Sequence, residues 1–226
     1  MQTIKKLYRE SYTGEEVITK LTYVNNKWEK EVDFIPNSIT SSYTTSQALV
    51  IGGGSSWKDF NFDITHVANH KGGLFGSNRL QTYGTNKTYQ FLETDFLVID
   101  KDEAPAIAKT DYPVEHIVYA HAQEIIDYPG KFYLIPQDPS WNAGSVATYM
   151  ACFDGHTKIF LLGFDGKEGN GAFYEQTMLE VFNLYPEVEF VRVSPTPEYY
   201  MPESWKYCVN VRQITLRQFV IEADLG

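Results

Sequence analysis

From Gln47 onward, short unbroken apolar runs alternate with amphipathic stretches. The runs at 49–51, 73–77, 96–100, 116–120, 131–135, 158–163 and 188–193 read as strands. A strand covered on both faces loses the apolar/polar alternation and becomes continuously hydrophobic. Between them, 103–109, 121–128, 143–153, 172–185 and 215–223 carry helical periodicity; Val146, Ala147, Met150 and Ala151 recur on one stripe. Strands alternating with helices of this length predict an α/β fold: a Rossmann-like, mostly parallel sheet with helices on both faces. Residues 1–44 have a different texture. Two β-prone stretches, 17–24 and 27–34, flank Asn25 and Asn26, a pair that tolerates the positive φ of a tight turn. A β-hairpin extension follows from this, joined by a Ser/Thr-rich linker to a nucleotide-binding domain over 45–226.

The run Ala48-Leu49-Val50-Ile51 breaks into Gly52, Gly53 and Gly54, followed by Ser55, Ser56 and Trp57. Glycine lets a chain turn sharply and lets a ligand approach the backbone. Amide groups in such a turn attract phosphate. These five residues, 52–56, are therefore expected to hold a nucleotide phosphate. Trp57 stands where a dinucleotide fingerprint needs glycine, and no Gly-Lys-Ser/Thr ending follows.

Parallel sheets bind ligands at the carboxyl ends of their strands. Gly76-Ser77-Asn78-Arg79 places an amide that could meet a base or ribose, and a guanidinium that could pair with phosphate; a turn asparagine and a solvated arginine are the alternatives. The run ending at Asp100, with Asp102 two residues on, could carry Mg2+ or Mn2+ beside a diphosphate. The run ending Gly163-Phe164-Asp165-Gly166 offers a carboxylate to a hydroxyl group, or a plain turn. Asn142, Gly144 and Ser145 open a helix, as a cap or as a second polar wall. His121 follows the 116–120 run and is the histidine best placed for proton transfer. The candidate catalytic residues are thus Asp165, Asp100 and His121, with Asp100 and Asp102 as candidate metal ligands. Tyr199, Tyr200, Trp205 and Tyr207 either line an acceptor pocket or pack a loop on the sheet.

The chain has 226 residues, 43% hydrophobic, with a net charge of −10. That acidity disfavours nucleic acid and anionic membranes as partners. It leaves room for a small-molecule nucleotide and an acceptor. No apolar run reaches the length of a membrane span, and Lys5, Lys6 and Arg9 precede no apolar core. Cys152 and Cys208 read as reduced thiols, and a cytoplasmic protein is expected. The pattern is compatible with an oligomer.

Residues 50–59, Val-Ile-Gly-Gly-Gly-Ser-Ser-Trp-Lys-Asp, are similar to the opening of bacterial lipooligosaccharide-type sialyltransferases. Gly76 to Arg79 resembles the second-strand asparagine segment of that family. Asn142 to Met150 followed by Ile159 to Asp165 resembles its helix and its strand ending in Gly-x-Asp. The related Maf-type flagellin glycosyltransferases and 6-hydroxymethylpterin diphosphokinase-like proteins share this core, and the run ending in Asp100 looks closer to them. The resemblance implies a nucleotide-binding transferase that takes a nucleotide-sugar donor, CMP-linked in the sialyltransferases. Two departures stand out. Gly53 occupies a place where the sialyltransferases carry asparagine, and no histidine follows His156, where they place their base. Three functions are therefore carried forward: a glycosyltransferase-like enzyme, a Mg-dependent diphosphokinase acting on a small alcohol such as a pterin, and a non-catalytic nucleotide-binding module.

Overall fold

The computed structural model describes residues 2–5, 20–24, 27–31, 44–56, 79–136, 139–165, 171–223 and 225. Near the N-terminus, β1 (Gln2–Lys5), β2 (Lys20–Val24) and β3 (Lys27–Glu31) form an antiparallel sheet in the order β1-β2-β3. The expected hairpin corresponds to β2 and β3, with Val24 opposite Lys27. The Asn25-Asn26 turn lies outside the described residues, and β1 is an addition that the pattern did not predict.

The second sheet contains β4 (Thr44–Ile51), β5 (Arg79–Thr85), β6 (Phe96–Val98), β7 (Ile117–Ala120), β8 (Tyr133–Leu134), β9 (Lys158–Leu162), β10 (Glu189–Ser194) and β11 (Val211–Thr215). Its order is β11-β10-β9-β4-β5-β6-β7-β8, and every pairing among the described residues is parallel. The chain lays β4 to β8 outward on one side, then returns to place β9, β10 and β11 on the other side of β4. The direction of winding therefore reverses between β4 and β9. That is the topological switch point, where the carboxyl ends of the strands leave a crevice.

Burial explains the continuous apolar runs. Ala48 and Val50 face one core with Ile159, Leu161 and Phe190, while Leu49 and Ile51 face another with Phe160, Leu162 and Val191. Fully burying one such side chain contributes about 1.5–3 kcal/mol. Helices Ala143–Phe153 and Gly171–Leu184 and the buried Trp205 cover the first face. Helix Leu216–Glu222, through Phe219, covers part of the second. Under β6 and β7 a third cluster joins Leu97, Val118 and Ala120 to Ile107 and Ile125. Asn142 starts helix Ala143–Phe153 by accepting from the Ser145 amide at 3.0 Å, a cap of the expected type. Among the described residues no helix is long and apolar enough to cross a membrane.

Two described strands of the second sheet, β5 and β11, have no counterpart among the expected ones. The strand predicted at 73–77 lies outside the described residues. Among the described residues β4 is paired by β5, from Arg79 to Thr85, which hydrophobicity alone did not mark. β11 is also new; the helical reading of 215–223 covers only the segment after it.

Candidate functional site at the strand switch point

The turn after β4 and the loop after β9 interlock. The Gly52 amide donates to the Leu162 carbonyl oxygen at 2.8 Å, and the Gly54 amide to that of Gly163 at 2.8 Å. The Gly163 amide donates to Ser56 Oγ at 3.1 Å. Asp165 Oδ2 accepts from the Ser56 amide at 2.9 Å and from Ser55 Oγ at 3.5 Å. Two glycines make this approach possible. Gly163 has φ +75°, the left-handed region in which a side chain is strained. A Cβ on Gly54 would stand 2.5 Å from Asp165 Oδ2.

This arrangement corrects the expected phosphate cradle. The amides of Gly52, Gly54 and Ser56 are already engaged by the neighbouring loop and by a carboxylate. Gly53 and Ser55 are the exposed members of the turn, and Ser56 is buried. Asp165 is brought to the turn as expected. Its Oδ2 serves as a structural acceptor, leaving Oδ1 without a hydrogen bond among the described residues.

β5 ends beside β4, where Thr85 Oγ1 donates to the Ile51 carbonyl oxygen at 2.8 Å. The next residue, Asn86, has φ 46°, a left-handed conformation that asparagine adopts more readily than most residues. Its Nδ2 donates to Asp100 Oδ2 at 2.9 Å, and its Oδ1 accepts from the Asp100 amide at 2.8 Å. The amide thus clasps both ends of Asp100 across β5 and β6. Sequence reasoning missed Asn86. Asparagine tolerates the left-handed region, but the strand ahead of it carries no apolar run that would mark Asn86 as a strand end.

Asn78 lies outside the described residues. Arg79 opens β5 instead of ending a strand, so its backbone sits at the amino edge, about 20 Å from the carboxyl edge at 3.3 Å per residue. Among the described residues, the asparagine that directly follows β5 is Asn86.

His121 follows β7, four strand spacings from β9, or about 19 Å. The fold therefore does not bring it to Asp165, and the two cannot share one proton transfer. Asp100, three spacings from β9, is about 14 Å away on the same basis.

Asp100 is half-buried and clasped, whereas Asp102 is exposed in the turn before helix Ala104–Ile107. No group of three His, Cys, Asp or Glu side chains suited to a metal converges among the described residues. Among the described residues the donor set around Asp100 does not fit a resident Mg2+ or Mn2+, since Asn86 holds its Oδ2 and no cluster of ligands joins it.

Asn142 and Ser145 form an internal link between helices. Asn142 Nδ2 donates to Thr177 Oγ1 at 2.9 Å, and Ser145 Oγ lies 2.8 Å from the same oxygen, with Ser145 fully buried. They are not an open polar wall. A Cβ on Gly144 would meet Asn142 Oδ1 at 3.3 Å and the Phe164 ring at 3.5 Å. The helix start therefore packs behind the crevice loop.

Arg192 of β10, 1% exposed, lies on the other flank of that loop. Its Nε donates to the Phe164 carbonyl oxygen at 3.0 Å, and Nη1 donates to the Tyr200 carbonyl oxygen and to Gln213 Oε1. The guanidinium carbon stands 5.4 Å from the Tyr199 ring centroid. Burial pulls its pKa down, while Tyr174 and Asp165 act in the opposite direction. Burial holds the Tyr174 phenol well above its ordinary range, with Arg192 opposing and Asp165 adding to the rise. The enclosed Tyr174 hydroxyl has no hydrogen-bond partner among the described residues. Trp205 is core, donating from Nε1 to the Glu175 carbonyl oxygen, and Tyr207 is exposed. Loop packing, the alternative to an acceptor pocket, accounts for Trp205.

No protein-family model and no curated protein matches the chain. Among solved structures it is similar to the sialyltransferase CstII from Campylobacter jejuni in complex with a substrate analogue, cytidine-5'-monophosphate. The identity is 13%, over 65% of this chain and 78% of that one, with a TM-score of 0.41.

Proposed function

We propose that the chain is a nucleotide-dependent transferase of glycosyltransferase-like type, taking a nucleotide-sugar donor at the switch-point crevice. One observation carries this reading. The glycine turn after β4 and the Gly-x-Asp loop after β9 are joined where the sheet reverses its winding, with the Asn86–Asp100 clasp on the adjacent strand ends. Parallel sheets hold ligands at that place. The motif resemblance of both segments to nucleotide-sugar transferases points the same way.

In this reading the Asn86–Asp100 pair holds hydroxyl or base groups of the donor, and Gly53 and Ser55 face the phosphate. Asp165 Oδ1 takes the acceptor proton. The acceptor hydroxyl oxygen bonds to the anomeric carbon as the bond from that carbon to the phosphate oxygen breaks. The bonding pair leaves on the nucleotide, and the hydroxyl proton passes to the carboxylate. Equilibrium dialysis against CMP and CMP-, CDP-, UDP- and GDP-sugars tests the reading. Saturable binding of one nucleotide, followed by transfer or donor hydrolysis, is expected; no binding to any of them refutes it.

A second reading has its own support. With Asp165 Oδ2 bound to the Ser56 amide and His121 remote, the crevice could hold a nucleotide without turning it over. Binding without donor hydrolysis would select this non-catalytic module.

A further inference from the structure

Arg192 is the one buried cation among the described residues, and no carboxylate forms an ion pair with it there. A buried guanidinium is costly to desolvate, and three neutral acceptors and a ring face compensate only part of that cost. It also lies where positive charge is scarce. The crevice ends carry Asp165 and Asp100, and three turn amides that could have met a phosphate are engaged elsewhere. Lys87, on the same edge, is 3.5 Å from Glu103, and Lys101 is exposed. Arg192 reaches the crevice through the loop, its Nε on the Phe164 carbonyl oxygen one residue before Asp165. Arg192 is level with Leu161, which is level with Val50, so it lies two strand spacings from β4, or about 10 Å.

We infer that Arg192 is a positioning residue for an anionic ligand: its buried charge supplies the field that favours a phosphate at the switch-point crevice, without touching it. This rests on the nucleotide reading above and adds the group that balances the phosphate charge. The same cation holds the 163–165 loop against β10 while Asp165 holds it against β4, so field and loop geometry share one anchor. The charged and titratable groups facing it are Asp165, Tyr174, Tyr199 and Tyr200.

The test compares each nucleoside with its 5'-monophosphate (cytidine, uridine, guanosine, adenosine) by isothermal titration to the full chain. The readout is the affinity ratio of monophosphate to nucleoside. Arg192→Gln keeps a donor and drops the charge; Arg192→Lys keeps the charge and loses the planar fork. At an effective dielectric of about 20, a unit charge about 10 Å away changes affinity roughly tenfold for each negative charge on the ligand, and a 5'-monophosphate carries between about one and two near neutral pH. Arg192→Gln is therefore expected to cut the ratio at least about tenfold, beyond any change in nucleoside affinity, and Arg192→Lys to keep most of it. Equal losses for nucleoside and monophosphate, or an unchanged ratio in Arg192→Gln, overturn the inference. Wild-type protein gives a second measurement that needs no variant. A buried charge is screened less than exposed lysines, so the ratio should persist between about 20 mM and about 300 mM NaCl; its collapse assigns the field to Lys87 and Lys101 and overturns the role of Arg192. If no monophosphate binds the wild type, the nucleotide reading itself has failed. If one binds and the ratio ignores Arg192, only this inference has.

Discussion

Replacing Gly54 by alanine puts a Cβ 2.5 Å from Asp165 Oδ2 and 2.6 Å from the Gly163 carbonyl oxygen. Neither neighbour can give way cheaply, because the carboxylate holds the Ser56 amide and the carbonyl holds the Gly54 amide. The charge-assisted bond is worth about 1.5–3 kcal/mol and the backbone bond about 1. Gly54→Ala should therefore destabilise the fold by about 2–4 kcal/mol. For a chain of this size that is a fall in Tm of roughly 5–15 °C. Gly53 is the internal control. A Cβ there meets nothing within 4 Å, and its φ is not in the left-handed region. Gly53→Ala should leave stability within about 0.5 kcal/mol of wild type or raise it slightly by restricting the unfolded chain. Thermal and urea unfolding of the two variants, followed by nucleotide dialysis, give the comparison. The expected pattern is a weakened Gly54→Ala that no longer binds and a near-native Gly53→Ala. Equal stability of the two variants would refute the interlocked turn.

Other expectations follow from the same contacts. Asn86→Gly should lose only the clasp on Asp100, about 2 kcal/mol, whereas Asn86→Ala adds the left-handed strain of about 1 kcal/mol more; urea midpoints falling in the opposite order would count against the clasp. Tyr83→Phe removes the buried 2.7 Å bond from its hydroxyl to Asp154 Oδ2 and should cost about 1–3 kcal/mol by urea unfolding, without changing nucleotide affinity, since it lies among the core residues. Hydrogen bonds from Arg212, with help from Lys158, hold the Glu222 carboxyl down to about 2 against an ordinary 4.5. A depressed folded-state pKa means the stabilisation is present above pH 4.5 and is lost as pH falls from there through about 2. Solvent screening of this half-exposed network reduces the effect to about 1 kcal/mol. Urea titrations from pH 6 to 2 should show wild type losing that much more than Glu222→Gln.

The physical basis of each element decided how much of it could be read in advance. β9 and helix Ala143–Phe153 were legible because both faces of the first and one stripe of the second are apolar. β5 was not. Gln81, Thr82 and Thr85 are buried, and their polarity is satisfied by His156, Asp95 and Ile51, partners 13 to 75 residues away in the chain. No local pattern announces such a strand. The edge strand β11, Val-Arg-Gln-Ile-Thr, is largely half-buried and lacks a continuous apolar run for the same reason. Glycines at strand ends marked the 52–56 turn and the Asp165 loop, and the structure brings the two into contact. The engagement of the turn amides depends on β9 lying beside β4, which only the topology reveals. Asn86 stayed hidden because its left-handed φ is a property of the folded loop, and Arg192 because a lone arginine in a strand ordinarily faces solvent.

On the proposed reading, the reversal of strand order between β4 and β9 makes a nucleotide site. A crystal of the full chain soaked with a mixture of nucleoside monophosphates and nucleotide-sugars tests it most directly. The account predicts density for one nucleotide over the ends of these two strands, its phosphate beside Gly53 and Ser55 and its ribose or base against Asn86 and Asp100. A nucleotide bound away from that edge, or no bound nucleotide at saturating concentration, would contradict it.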